Sequence, residues 1–124
     1  MEITLIQAIA KMEGFGANPN NIPTRCNNPG DICAGQFANA HGAMPAASDP
    51  MTRNPSRYAV FPTAELGWAA LRALLAAHYL GMTIAAAIAK YAPATENNTN
   101  EYVLFVCRET GLTPFTVLTA ENIG

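Results

Sequence analysis

From Thr63 to Gly81 the chain reads Thr-Ala-Glu-Leu-Gly-Trp-Ala-Ala-Leu-Arg-Ala-Leu-Leu-Ala-Ala-His-Tyr-Leu-Gly, and this stretch decides the fold class. Leu71, Leu74, Leu75 and His78 recur at intervals of three and four, which brings them onto one face of a helix turning about 100° per residue. Alanine fills the remaining turns. Thr63 can cap the start, Glu65 sits where negative charge complements the helix dipole, and Gly81 follows where a left-handed cap is wanted. The spacing predicts a central core helix from Thr63 to about Tyr79, with His78 on its apolar stripe as a core histidine and Trp68 also in the core. Just before it, Tyr58-Ala59-Val60-Phe61 reads as a short extended segment ending at Pro62.

Downstream, Thr83 caps an alanine-rich helix to about Tyr91, and Pro93 stops it. Asn98 or Thr99 caps another through Val103, Val106 and Cys107 to Gly111. Pro114 to Gly124 carries only a weak further helix start at Thr119-Ala120-Glu121. Upstream, the spacing of Ile6, Ile9 and Ala10 predicts a helix from about Glu2 to Glu13, ended by Gly14 and Gly16. Between Gly14 and Ser56 stand Asn18-Pro19, Asn28-Pro29-Gly30, Gly35, Gly42, Asp49-Pro50 and Asn54-Pro55. This punctuation predicts about forty residues of long loops, a length that in a compact domain points to function. The expected architecture is mainly α: an N-terminal helix, a long loop region with little or no β structure, then a bundle of about three to four helices. No internal repeat interrupts it.

A length of 124 residues suits a single domain over 1–124. Half the residues are apolar and 13% charged, which excludes intrinsic disorder. Seven basic residues against nine acidic give a charge of -2 with no run of like charges, so neither a nucleic acid nor an anionic membrane surface is an expected partner. Trp68 to Leu80, the longest apolar stretch, is broken by Arg72 and His78 and falls short of the roughly 20 residues of a membrane-spanning helix. Met1-Glu2-Ile3-Thr4-Leu5 lacks the basic start of a secretory signal, so synthesis in the cytoplasm is expected, with delivery elsewhere needing another route or a signal already removed. Cys26, Cys33 and Cys107 cannot all pair within one chain and make no disulfide framework.

One carboxylate stands apart. Glu13 lies seven residues after Ile6 and four after Ile9, on the apolar face, at the C-terminus of its helix and at the edge of the loop region. Partial burial and the negative end of the helix dipole both disfavour its charged form, which suits a general acid. An ordinary exposed Glu in a fraying last turn fits the same periodicity.

Helix-Glu13-Gly14 is followed by Arg25-Cys26-Asn27-Asn28-Pro29-Gly30-Asp31-Ile32, then by Tyr58-Ala59-Val60-Phe61-Pro62-Thr63-Ala64-Glu65-Leu66-Gly67-Trp68, then by Tyr91-Ala92-Pro93-Ala94-Thr95-Glu96-Asn97-Asn98. Taken in this order, over nearly the whole chain, these blocks resemble the lysozyme-like superfamily, in particular the small lytic transglycosylase or muramidase domains of phage virions and phage-derived regions of bacterial genomes. The resemblance implies a lysozyme-like fold and cleavage of the β-1,4 bond between N-acetylmuramic acid and N-acetylglucosamine in peptidoglycan. It places Glu13 at the catalytic position, as acid and then as base on the muramic 6-hydroxyl. The glycan strand is the implied partner, met in the periplasm or by virion delivery, alone or within a larger virion or secretion assembly. No cofactor and no metal are implied.

Asp31 and Glu96 are the candidates for a second carboxylate, which a hydrolase would need. Asp31 also reads as ordinary turn chemistry after Pro29-Gly30, and Glu96 as a charge complementing the incoming helix or orienting a wall of the site. Asn28 and Asn97 are the favoured readers of acetamido and hydroxyl groups, since an amide both donates and accepts; Asn27 and Asn98 share that chemistry, and all four also suit plain loops. Tyr58, Phe61, Tyr91 and Tyr102 offer flat faces to sugar rings, with Tyr91 and Tyr102 best placed because they flank the 93–99 loop, although aromatic residues at element ends are often core.

Two other classes compete. A cell-wall cysteine peptidase would use Cys26, Cys33 or Cys107 activated by His41 or His78, and no spacing pairs them. A zinc site from Cys26, Cys33 and His41 has six residues between its thiols, wider than usual zinc motifs. Cys26 and Cys33 make a short-loop disulfide only in an oxidising compartment. A non-catalytic glycan-binding component of a virion or secretion apparatus is the other class, and Glu13 argues against it.

Overall fold

The computed structural model describes residues 2–124, and over these residues the chain is mainly helical. Its helices are α1 (Leu5–Glu13), α2 (Ile22–Arg25), α3 (Gln36–Ala40), α4 (Ala64–His78), α5 (Ile84–Tyr91) and α6 (Thr99–Thr110). Among the described residues extended pairing is limited to isolated antiparallel bridges of Cys33 with Tyr58, Ser48 with Pro55 and Thr83 with Val117. The chain divides into two compact units, Ile9–Ala73 and residues 2–8 with Leu74–Gly124, the division falling inside α1 and α4. No helix of the described residues is long and apolar enough to cross a membrane.

In the unit Ile9–Ala73, α1 closes with a Schellman turn. The Gly14 N–H donates to the Lys11 carbonyl at 3.1 Å and the Phe15 N–H to the Ala10 carbonyl at 3.0 Å, with Gly14 at φ +92°. The region after it is less irregular than its Asn, Pro and Gly content predicts, because it holds α2 and α3. Helix α2 has a local cause: Asn21 Oδ1 accepts from the Thr24 N–H at 3.1 Å, and Pro23 stands in the first turn, where its missing N–H would have had no partner. Ile9, Cys26, Ile32, Phe61 and Leu71 are buried here. Each such aliphatic or aromatic side chain contributes about 1.5–3 kcal/mol by leaving water.

In the other unit, Thr83 Oγ1 caps α5 by accepting from the Ala86 N–H at 3.2 Å, and Asn98 Oδ1 caps α6 by accepting from the Glu101 N–H at 3.1 Å. Of the two cap candidates, Asn98 takes the role and Thr99 becomes the first helical residue. The Thr119-Ala120-Glu121 start produces no helix; Thr119 and Asn122 close a turn on each other, and the segment is held by its buried Leu118 and Ile123. The Gly81 N–H donates to the Leu118 carbonyl at 3.0 Å, and the Ile6 N–H to the Ile123 carbonyl at 3.1 Å.

His78 is not a core histidine. It is exposed, and the buried row of α4 continues from Leu71 to Leu75 to Tyr79, because the four-residue step carries past it. Trp68, placed in the core by its helical position, is half-buried and meets the Phe15 ring edge-to-face at 5.5 Å.

Candidate active site

Glu13 is the last residue of α1, half-buried, immediately before the Schellman turn. The turn is braced from α2: Asn21 Nδ2 donates to the Gly14 carbonyl at 2.7 Å, and the Gly16 N–H donates to Thr24 Oγ1 at 2.8 Å. The Glu13 carboxyl is hydrogen-bonded to that of Asp31.

Asp31 reaches that place through the Asn27–Gly30 turn. Asn27 and Asp31 both adopt left-handed backbone, φ 53° and 50°, which Asn and Asp tolerate better than other side chains. Asn28 is fully buried at 0% exposure. Its Oδ1 accepts from the Ile32 N–H at 2.9 Å, and its Nδ2 donates to the Ile32 and Ala59 carbonyls, each at 2.9 Å. Asn28 therefore differs from its expected part: its amide is spent inside the protein, joining the turn to the Tyr58–Phe61 segment, and does not face a sugar. Asn27 Nδ2 adds a bond to the Phe61 carbonyl at 3.0 Å, and the Phe61 N–H donates to the Cys26 carbonyl at 2.9 Å. Helix α4 lies against the same turn at Gly67, where a Cβ would overlap the Asn27 carbonyl and stand 2.8 Å from Pro29 Cδ.

Burial pushes the Asp31 carboxyl up to about 7, helped by the hydrogen bond to Glu13 and by the negative charge there. Its Oδ1 is buried and has no hydrogen-bond partner. Two ionised carboxylates have no hydrogen between them to share, so the Glu13–Asp31 bond requires a proton. Asp31, pushed up to about 7, is the carboxyl that holds it.

Nearby charge is paired off. The Arg25 guanidinium grips Asp49 with Nε at 2.9 Å from Oδ1 and Nη2 on Oδ2, and holds the Asp49 carboxyl down to about 2. Burial raises the Cys26 thiol, with Asp49 and Asp31 adding to the effect and Arg25 and a Ser56 hydrogen bond opposing it. Burial likewise raises Cys107. All three cysteines are free thiols, Cys33 being exposed. His41 Nδ1 lies 2.8 Å from the Phe37 carbonyl, its ring stacked on Phe37.

Of the expected sugar contacts in this unit, Tyr58 is half-buried, with the Arg57 guanidinium 5.4 Å from its ring centroid and its carbonyl accepting from Ser56 Oγ at 2.6 Å. Tyr91, Glu96, Asn97 and Tyr102 belong to the other unit. Glu96 and Asn97 are exposed on a turn where both N–H groups donate to the Pro93 carbonyl at 3.0 Å. Tyr91 is half-buried, 6.0 Å from the Tyr79 ring. Tyr102 is 2% exposed, so its ring packs inside and offers no face to a sugar, α6 turning it inward beside Val103 and Val106. Asn21 and Gly67 also build the site, and the sequence carries a signal for each: the Asn21-Ile22-Pro23-Thr24 helix start and a glycine inside a helix.

Among the described residues no group of three or more His, Cys, Asp and Glu side chains is placed to hold a metal ion. Comparison with protein-family models, curated proteins and solved structures finds no match to the chain.

Proposed function

We propose that this chain is a peptidoglycan-cleaving muramidase of the lysozyme-like kind, acting on the β-1,4 bond between N-acetylmuramic acid and N-acetylglucosamine as a lytic transglycosylase. The observation that carries the reading is the placement of Glu13, half-buried at the end of α1 with its carboxyl hydrogen-bonded to that of Asp31. Besides the proton that Asp31 holds, the reading gives Glu13 one of its own. Glu13 gives it to the glycosidic oxygen as the C1–O bond breaks. Now ionised, Glu13 takes the proton of the muramic 6-hydroxyl while that oxygen attacks C1, closing a 1,6-anhydro ring and restoring the acid.

The pair also favours this course over hydrolysis. Hydrolytic carboxyl pairs stand roughly 5–5.5 Å apart in retaining enzymes and roughly 6.5–9.5 Å in inverting ones, with the sugar or a water between them. Carboxyls in direct hydrogen-bond contact leave no such space. The cysteine-peptidase alternative is weakened by the burial that raises the Cys26 and Cys107 thiols, since the thiolate is the nucleophile.

Digestion of purified sacculi followed by borohydride reduction and mass spectrometry tests the reading. Muramic ends one water lighter than hydrolysed ends, and unreduced, are expected. Wholly reducible ends would overturn transglycosylation, and released peptides with intact glycan would overturn the muramidase reading.

A further inference from the structure

We infer that Asp31 is a positioning residue that works as a neutral carboxylic acid, its O–H donating to the carboxylate that Glu13 becomes after protonating the glycosidic oxygen. The inference rests on the muramidase reading for its reaction, but its placement of a proton rests on the contact between the two carboxyls and on a buried oxygen without a partner. The contact with Glu13 needs a donor, and one carboxyl oxygen of Asp31 is buried without any partner. An ionised carboxylate would spread charge onto that oxygen with nothing to solvate it. A neutral carboxyl leaves only a carbonyl dipole there and uses its O–H toward Glu13, which is the cheaper arrangement. The backbone fixes this orientation through the left-handed Asp31 and the buried amide of Asn28.

The protons balance over the cycle. In the doubly protonated form that reacts, Glu13 and Asp31 each hold one. The Glu13 proton moves to the leaving oxygen, Asp31 keeps its own and steadies the new carboxylate, and Glu13 recovers a proton from the attacking 6-hydroxyl. If Asp31 were ionised, the same step would set two negative charges in contact. The titratable group in contact with Asp31 is Glu13, at the end of α1, and the charge of Asp31 is felt by the Cys26 thiol, which follows α2.

The Asp31→Asn variant separates this role from the alternatives, because its amide still donates, no longer titrates and accepts left-handed backbone. In the full chain, cleavage of sacculi by Asp31→Asn at pH 5 to 6 is expected within about tenfold of the parent. The parent profile is expected to steepen near pH 7, where Asp31 ionises, and the variant profile to lack that break. A loss of about 10²-fold or more at every pH would make Asp31 an ionised base and overturn the proposal, as would an unchanged break. Independently of any activity, the Asp31 carboxyl carbon followed by NMR should titrate near 7 and fall by about one unit or more in Glu13→Gln. An ordinary titration of that carbon overturns the proposal. Normal Asp31 behaviour by NMR is thus its failure alone, whereas a parent that cuts no glycan while Asp31 titrates near 7 defeats the muramidase reading and leaves the proton where the geometry puts it.

Discussion

Gly67 in α4 and Asn27 in the site turn meet backbone to backbone: a single carbon added at Gly67 would overlap the Asn27 carbonyl oxygen and press on Pro29. In an exposed helix interior, glycine to alanine gains about 0.5–1 kcal/mol of stability. Here the sign reverses. Gly67→Ala is expected to lose about 1–3 kcal/mol, since backbone cannot swing aside as a flexible side chain can. Urea unfolding of parent and variant measures it, and a gain in stability would show that the turn gives way easily.

Glu13→Gln keeps the shape of the side chain and removes its transferable proton. Glycan cleavage is expected to fall at least about 10²-fold with little change in melting temperature. A variant that clears sacculi at the parental rate would take Glu13 out of the mechanism.

Stability should respond to pH with two opposite slopes. Asp31 rises from its ordinary 3.8 to about 7 on folding, so the folded chain holds that proton more tightly than the unfolded one. Its contribution is full below about pH 4 and is lost as pH climbs to about 7. Asp49, lowered from 3.8 to about 2 chiefly by its bond from Arg25, contributes above about pH 4 and loses that contribution as pH falls toward 2. Melting temperatures across this range should flatten between pH 4 and 7 in Asp31→Asn, and below pH 4 in Asp49→Asn. Parallel curves for parent and variants would contradict the assignments.

Replacing Cys26, Cys33 and Cys107 together with serine should leave glycan cleavage measurable, at reduced stability because Cys26 is wholly buried. A variant that stays folded by circular dichroism yet releases no muropeptides would instead place a thiol in the chemistry.

The long helices were legible because their signals are local. Thr83 and Asn98 cap α5 and α6 as their side chains predict, and the run from Ala64 to His78 needs only its own periodicity. Helices α2 and α3 are too short to show a period, so α2 depends on one Asn side chain and its Pro. The same reach explains the site. That Glu13 ends its helix beside a loop could be read from spacing, whereas its bond to Asp31 depends on a turn pinned by the buried Asn28 and the bare face of Gly67, contacts between segments far apart in sequence. His78 differs for a smaller reason: the buried row steps from Leu75 to Tyr79, one residue further on, and one residue turns a helical side chain through about 100°.

The amide of Asn21 grips the Gly14 carbonyl with its nitrogen and the Thr24 N–H with its oxygen. A four-residue helix does not persist by itself in water, so α2 borrows its order from this clamp and its neighbours. The loan runs both ways: if α2 melts, the corner carrying Glu13 gains angular play. The aim of a proton donor is then governed by the stiffness of a loop, through a residue eight positions further along the chain that performs no chemistry of its own.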